Sequence, residues 1–183
     1  MKKVLSLVLV AVVVASLFAL AACGNKAEPT LKLGLGVVAT YGEPKNADGD
    51  TNGSAKVTND AVAVLLDAEG KIVDIAIDTL DATAAWTSKG KAAAATELKT
   101  KYELGTDYNM AAYGKKHDGS DGAVLEWYAQ AAAFDAALEG KSADEFAAFA
   151  GEDGYSVGDL ATAGCTINIA DMVKAATAAA TVA

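Results

Sequence analysis

From Leu31 to Asp78 the chain alternates apolar and polar residues with the two-residue period of pleated strands. "LKLGLGVVAT" (Leu31 to Thr40) sets Leu31, Leu33 and Leu35 against Lys32, Gly34 and Gly36. A polar loop rich in Gly, Asp and Asn covers Gly42 to Gly53, and a second strand is predicted over Lys56 to Leu66. "DAEG" (Asp67 to Gly70) reads as a hairpin turn with its glycine placed late. It leads into a third strand, Lys71 to Asp78, with Val73, Ile75 and Ile77 on one side and Asp74 and Asp78 on the other. This is the pattern of an antiparallel meander with one face on a core and one in water.

After Trp86 the period lengthens towards that of a helix. An Ala-rich helix is predicted over Lys91 to Tyr102, broken by "ELGTDYNM" (Glu103 to Met110). The longest helix is predicted over Gly122 to Glu139, with Leu125, Tyr128, Ala132 and Leu138 at helical spacing and Gly140 as its stop. Ser142 to Glu145 forms a capping box that opens a short helix with Phe146 and Phe149 inside. "INIADMVKAATAA" closes the chain as a helix capped by Asn168, with Asp171 in its first turn. Strands followed by helices make an α+β domain over residues 31–183, an antiparallel β-meander followed by packed helices, with no internal repeat.

The start of the chain has another character. Met1-Lys2-Lys3 is basic, and Val4 to Ala22 is uncharged and nearly all apolar. Its length would span a bilayer, but a positive start, an apolar middle and small residues before a cut fit an export signal over residues 1–22. The end of that run, Leu20-Ala21-Ala22-Cys23, resembles the lipobox of bacterial lipoproteins. The resemblance implies cleavage before Cys23 and lipidation of its sulfur. Residues 23–30 then form a short polar tether, and the expected location is the extracytoplasmic face of the cell membrane, held by acyl chains rather than a spanning helix.

Charge narrows the partners. All 15 basic residues are lysines, against 24 acids, for a net charge of −9, and losing residues 1–22 makes it two units more negative. Nucleic acid is disfavoured, because binding it takes clustered cations. The absence of arginine removes the bidentate fork that grips phosphate or carboxylate. With Cys23 lipidated, Cys165 has no second cysteine, which excludes a disulfide framework and a cysteine zinc site.

Several stretches carry candidate chemistry, each beside a plainer reading. Asp48-Gly-Asp50-Thr-Asn52-Gly53 matches the first half of a calcium loop, but the closing glutamate position is Asn59 and a surface turn uses the same residues. His117, the one histidine, lies in "KKHDGSDG" with Ser120 nearby and reads as a solvated loop residue rather than a metal ligand or triad base. Asp74 and Asp78 share a strand face and could form an acid pair, or simply its wet side. Trp86 and Trp127-Tyr128 could stack on a flat ligand, with core packing the better reading for Trp127. No nucleophile–base pair stands out, so an enzyme is not expected.

Two resemblances extend the picture. "TELKTKYELGTDYNMAAYG", the helix "GAVLEWYAQ", "GKSADEF" and the strand pair "VAVLLDAEGKIVDIAID" are similar to a group of uncharacterised lipoproteins of Gram-positive bacteria. "AEGKI" (Ala68 to Ile72), followed later by Ala163-Gly164-Cys165-Thr166 and a helix, resembles the small FMN-binding domain of flavin electron-transfer proteins. That resemblance implies an FMN-binding-domain-like fold, FMN as cofactor with Gly164 and Thr166 at its phosphate end, and a redox membrane protein as partner. The sequence departs from the motif at Ala163, Cys165 and Leu160, where the family has serine, alanine and an acid. Cys165 then reads as a small buried filler. The leading expectation is a lipid-anchored extracytoplasmic lipoprotein that binds flavin for surface electron transfer. The alternative is a non-redox ligand-binding or envelope-interaction lipoprotein, for instance a transporter accessory, with or without a pheromone cut from the signal around Ala15 to Ala22.

Overall fold

Three strands pair in chain order: β1 (Lys32–Tyr41), β2 (Gly53–Leu66) and β3 (Ile72–Trp86) form one antiparallel sheet, β1-β2-β3. The computed structural model describes residues 30–92, 98–113 and 125–183, and Leu31–Ala183 is one compact unit. Among the described residues four α-helices follow: α1 (Lys101–Leu104), α2 (Trp127–Leu138), α3 (Gly158–Thr162) and α4 (Ala170–Val182). Short 3₁₀ segments cover Gly105–Tyr108, Ala111–Tyr113 and Ala143–Phe149. The protein is therefore α+β, a meander with helices packed on it.

The β2–β3 ladder explains where the core lies. Its inward cross-strand pairs are Leu66 with Ile72, Val64 with Ile75, and Val62 with Ile77, all buried aliphatics. The next two inward pairs are polar, Asp60 with Thr79 and Thr58 with Asp81. One sheet face thus changes from oil to hydrogen bonds halfway along. A register shift at Leu65/Leu66 turns Ile72 inward and leaves Val73 on the surface, so Val73 does not share the face of Ile75 and Ile77. The Asp67–Gly70 turn forms as expected: Gly70 has φ 80°, and Asp67 Oδ1 accepts from the N–H groups of Glu69 and Lys71.

β1 faces the other way from what side-chain hydropathy alone would assign. Gly34 and Gly36 are buried, whereas Leu33, Leu35 and Val37 are 74%, 63% and 57% exposed. The cause is α4, whose buried stripe of Met172, Val173, Ala175, Ala176 and Ala179 crosses the sheet at β1 and β2. A Cβ on Gly34 would lie 1.9 Å from the carbonyl oxygen of Ala179, and one on Gly36 1.9 Å from that of Ala175. Strand and helix meet backbone to backbone, and only glycine permits that approach.

The helix predicted over Lys91 to Tyr102 runs through residues 93–97, which lie outside the described residues; of its described ends, the first closes a turn and the last is helical. Thr87–Gly90 is a tight turn with Gly90 at φ 75°, and Ala92 bridges back to Trp86. Among the described residues of this stretch, helix begins at Lys101, where Thr100 and Glu103 form a reciprocal capping box. Gly105 (φ 52°) and left-handed Asn109 then stop it, in the segment where a break was expected.

α2 starts five residues later than Gly122. Its buried face is Trp127, Gln130, Ala131, Phe134 and Leu138, while Ala132 is exposed. Gly140 ends it at φ 73°, and its N–H together with the Lys141 carbonyl pairs with the backbone of Ile72. The Ser142 box is present, and it opens a 3₁₀ segment with Phe146 fully buried. Asn168 acts one residue ahead of the helix cap: its Oδ1 accepts from Ala170 N–H while its Nδ2 donates to the Asp153 carbonyl.

Candidate functional site

The polar half of the sheet's inner face meets α1, α2 and the first turn of α4 around a cavity of about 300 Å³. The capping box fixes Lys101 as the first residue of α1, and Tyr102 N–H donates to Asp78 Oδ1 on β3 at 3.2 Å, which docks the turn. The Lys101 side chain then reaches over the sheet. Its Nζ lies 3.5 Å from Asp81 Oδ2, 5.3 Å from the Tyr108 ring centre and 5.7 Å from that of Trp127. Asp81 is further held by Thr58 Oγ1 at 2.7 Å and Lys56 Nζ at 3.0 Å. Asp60, 6% exposed, accepts a hydrogen bond from Thr79 Oγ1 and lines the same cavity, as do Asp171 and Met172 of α4.

The electrostatics follow from this crowding. Burial holds the Lys101 ammonium below its ordinary pKa, opposed by the charges of Asp81 and Asp60. Burial also raises Asp60, against the Thr79 hydrogen bond and the Lys101 charge. For Asp81 burial would raise the pKa, but hydrogen bonds from Thr58 and Lys56 and the charge of Lys101 outweigh it and leave the carboxyl below its usual range. A lysine ammonium over two aromatic faces beside partly desolvated carboxylates is a preorganised polar site.

On the other sheet face, a groove of about 430 Å³ is floored by Ala61, Ala63 and Ala76 and edged by Leu35, Tyr102 and Asp135. Asp135 on α2 has a buried Oδ1 without a hydrogen-bond partner. Burial, helped by the charges of Asp74 and Glu139, pushes its carboxyl up to about 7. Asp74 and Asp78 do share this face, but four residues along a strand separate them by roughly 13 Å, too far to share a proton. Asp78 Oδ1 is engaged by the N–H groups of Thr79 and Tyr102, and Asp74 Oδ1 by that of Ile75.

The turn predicted to meet a flavin lies elsewhere. Gly164 has φ 101°, and a Cβ there would come within 2.7 Å of Leu125 Cδ1. The Thr166 N–H and hydroxyl both donate to Gln130 Oε1, at 2.7 and 3.2 Å. Gln130, fully buried, donates in turn to the Leu125 carbonyl at 2.7 Å and to Met110 Sδ at 3.2 Å. Neither Gly164 nor Thr166 lines the Lys101 cavity or the outer groove. Cys165 is fully buried with a free thiol that burial pushes up, and its carbonyl accepts from Ser156 Oγ.

The remaining candidates resolve individually. Asp48 to Gly53 is a hairpin tip: Asp48 and Thr51 exchange backbone hydrogen bonds around Gly49 at φ 53°, and the turn reading accounts for its residues. Trp86 packs across Gly53, and Trp127, 1% exposed, belongs to the core. Tyr128 meets Tyr102 edge to face at 6.5 Å. Cys23 and His117 lie outside the described residues. Among the described residues no three His, Cys, Asp or Glu side chains converge as metal ligands, and no helix is long and apolar enough to cross a membrane.

Lys101 and Asp60 were not singled out by sequence, although a signal existed. Asp60 is in phase with Val62, Val64 and Leu66, and Thr79 with Ile75 and Ile77, so each is a polar residue on a core period. No family model, curated protein or solved structure matches this chain.

Proposed function

We propose that this chain is a lipid-anchored extracytoplasmic binding protein, held at the membrane through Cys23, whose domain carries a small ligand in the Lys101 cavity. The observation that supports the ligand site is Lys101 itself, an ammonium drawn over the Tyr108 and Trp127 rings into a cavity shared with the buried Asp60. Drawing that ammonium out of water has a cost that Asp81, Asp60 and the two rings offset only in part, since its pKa stays below the ordinary value. The reading is tested by native mass spectrometry of the protein from its own host. It expects a chain beginning at Cys23 with added acyl mass, and a bound small molecule that Lys101→Met loses. An unacylated chain sinks the anchor, and a chain carrying nothing displaceable sinks the ligand site.

A flavin carrier is the second reading, favoured by the left-handed Gly164 in the turn leading to α4. An FMN phosphoester on Thr166 would replace the hydroxyl hydrogen that now points at Gln130, so the amide of Gln130 would have to turn. Visible absorbance with a matching mass increment on a peptide containing Thr166 is the expected sign, and a colourless protein refutes it.

A further inference from the structure

Only some of the polar groups that line the Lys101 cavity remain available to a guest. Thr58 Oγ1 already donates to Asp81, and both ends of the Asn168 amide are engaged, with Asp153 and Ala170. That leaves the ammonium of Lys101, which faces Asp81 at 3.5 Å on one side but has three N–H donors, the Asp60 carboxylate, which accepts on Oδ1 from Thr79, and the Asp171 carboxylate, which takes Lys174 on Oδ1 at 2.7 Å. The available set is therefore one cation and two anions. A simple anion would gain Lys101 but face Asp60 and Asp171, and a simple cation would gain the acids but face Lys101. A molecule carrying both charges, a few ångströms apart, meets each with its opposite.

Size and lining restrict it further. About 300 Å³ is at the small end of ligand pockets. Trp127, Met110, Ile167 and Met172 give one side of the lining an apolar surface for an aliphatic body. The faces of Tyr108 and Trp127 are already occupied by the Lys101 ammonium, so they do not form a free aromatic cage for a quaternary ammonium. The guest's own cation must then be one with N–H groups that can donate to carboxylates.

Resting on the reading that this cavity holds a ligand, we infer that it takes a free α-amino acid with an apolar side chain. The carboxylate lies on Lys101, the primary ammonium between Asp60 and Asp171, and the side chain on the wall of Met172 and Trp127.

The test is calorimetric titration of the mature, acylated protein in detergent with leucine, with isovalerate, which lacks the ammonium, and with isoamylamine, which lacks the carboxylate. Leucine should bind at least tenfold more tightly than either fragment. Lys101→Met should erase the advantage of leucine over isoamylamine, and Asp171→Asn, at a half-exposed position that leaves the core untouched, should shrink its advantage over isovalerate. Circular dichroism confirms that each variant is folded. If either fragment binds within threefold of leucine, the amino-acid assignment is wrong while the cavity stands as a ligand site. If none of the three binds but native mass spectrometry finds another molecule that depends on Lys101, the assignment is again wrong and the cavity again stands. If none binds and no such molecule is found, both readings fail.

Discussion

Replacing Gly36 with alanine adds one methyl group to the joint between β1 and α4. That Cβ would sit 1.9 Å from the Ala175 carbonyl oxygen, 2.8 Å from Ala179 N and 2.9 Å from Ala175 C. All three are helix backbone, so no side chain can swing away. To restore van der Waals contact, α4 must retreat by about 1.5 Å at that point. Such overpacking costs about 1–3 kcal/mol on its own, and the retreat loosens the contacts of Ala175, Ala176 and Ala179 as well, so we expect about 3 kcal/mol in total. For a domain of this size that lowers Tm by roughly 6–12 °C. Gly42→Ala is the control: nothing lies within 4 Å of its Cβ, and the change should fall within about 0.5 kcal/mol of neutral. Both variants are read by thermal denaturation followed by far-UV circular dichroism. A Gly36→Ala protein melting within about 2 °C of the parent would refute the close approach of strand and helix.

Asp135→Asn should change the pH dependence of stability. The carboxyl titrates near 7 in the folded protein, against an ordinary value of 3.8, so folding favours its protonated form. The stability it contributes is fully present below about 4 and is lost as pH rises through about 7. The variant should therefore match the parent near pH 4 and exceed it above pH 7.5 by on the order of 2–4 kcal/mol. Parallel urea titrations that show no pH-dependent gap would contradict this. Cys165 should react with a thiol reagent only as the fold opens, because it is fully buried and its thiol is held above its ordinary pKa. Labelling of the native protein at the rate of a free thiol would place it at the surface instead.

The parts of the fold legible in the sequence are those where large side chains mark the inside. β2 and β3 carry Val62, Val64, Leu66, Ile75 and Ile77 on one period, and the Asp67–Gly70 turn states its own geometry. β1 shows the limit of that logic. Alternation says that two faces differ, but when the buried face is glycine its hydropathy is silent, and the partner backbone lies at the other end of the chain. At the two ends of the helix predicted after Trp86, the Thr87–Gly90 turn and the Thr100 cap decide the path of the described residues. The cavity was hidden because Asp60, Lys101 and Asp171 are brought together only by tertiary packing. Polar residues in phase with a core face, Asp60 and Thr79 on the strands and Gln130 on α2, were the readable trace of it.

The same joint between β1 and α4 also orders events in time. A chain made from its N-terminus lays down Gly34 and Gly36 first and the helix that covers them last. β1 is an edge strand of the sheet, and until α4 has emerged its glycine face is bare as well, the condition in which strands pair with the wrong neighbour. Contacts between segments so distant in sequence form slowly. Completion of the core therefore waits on α4, and the growing chain is most vulnerable just before that helix docks.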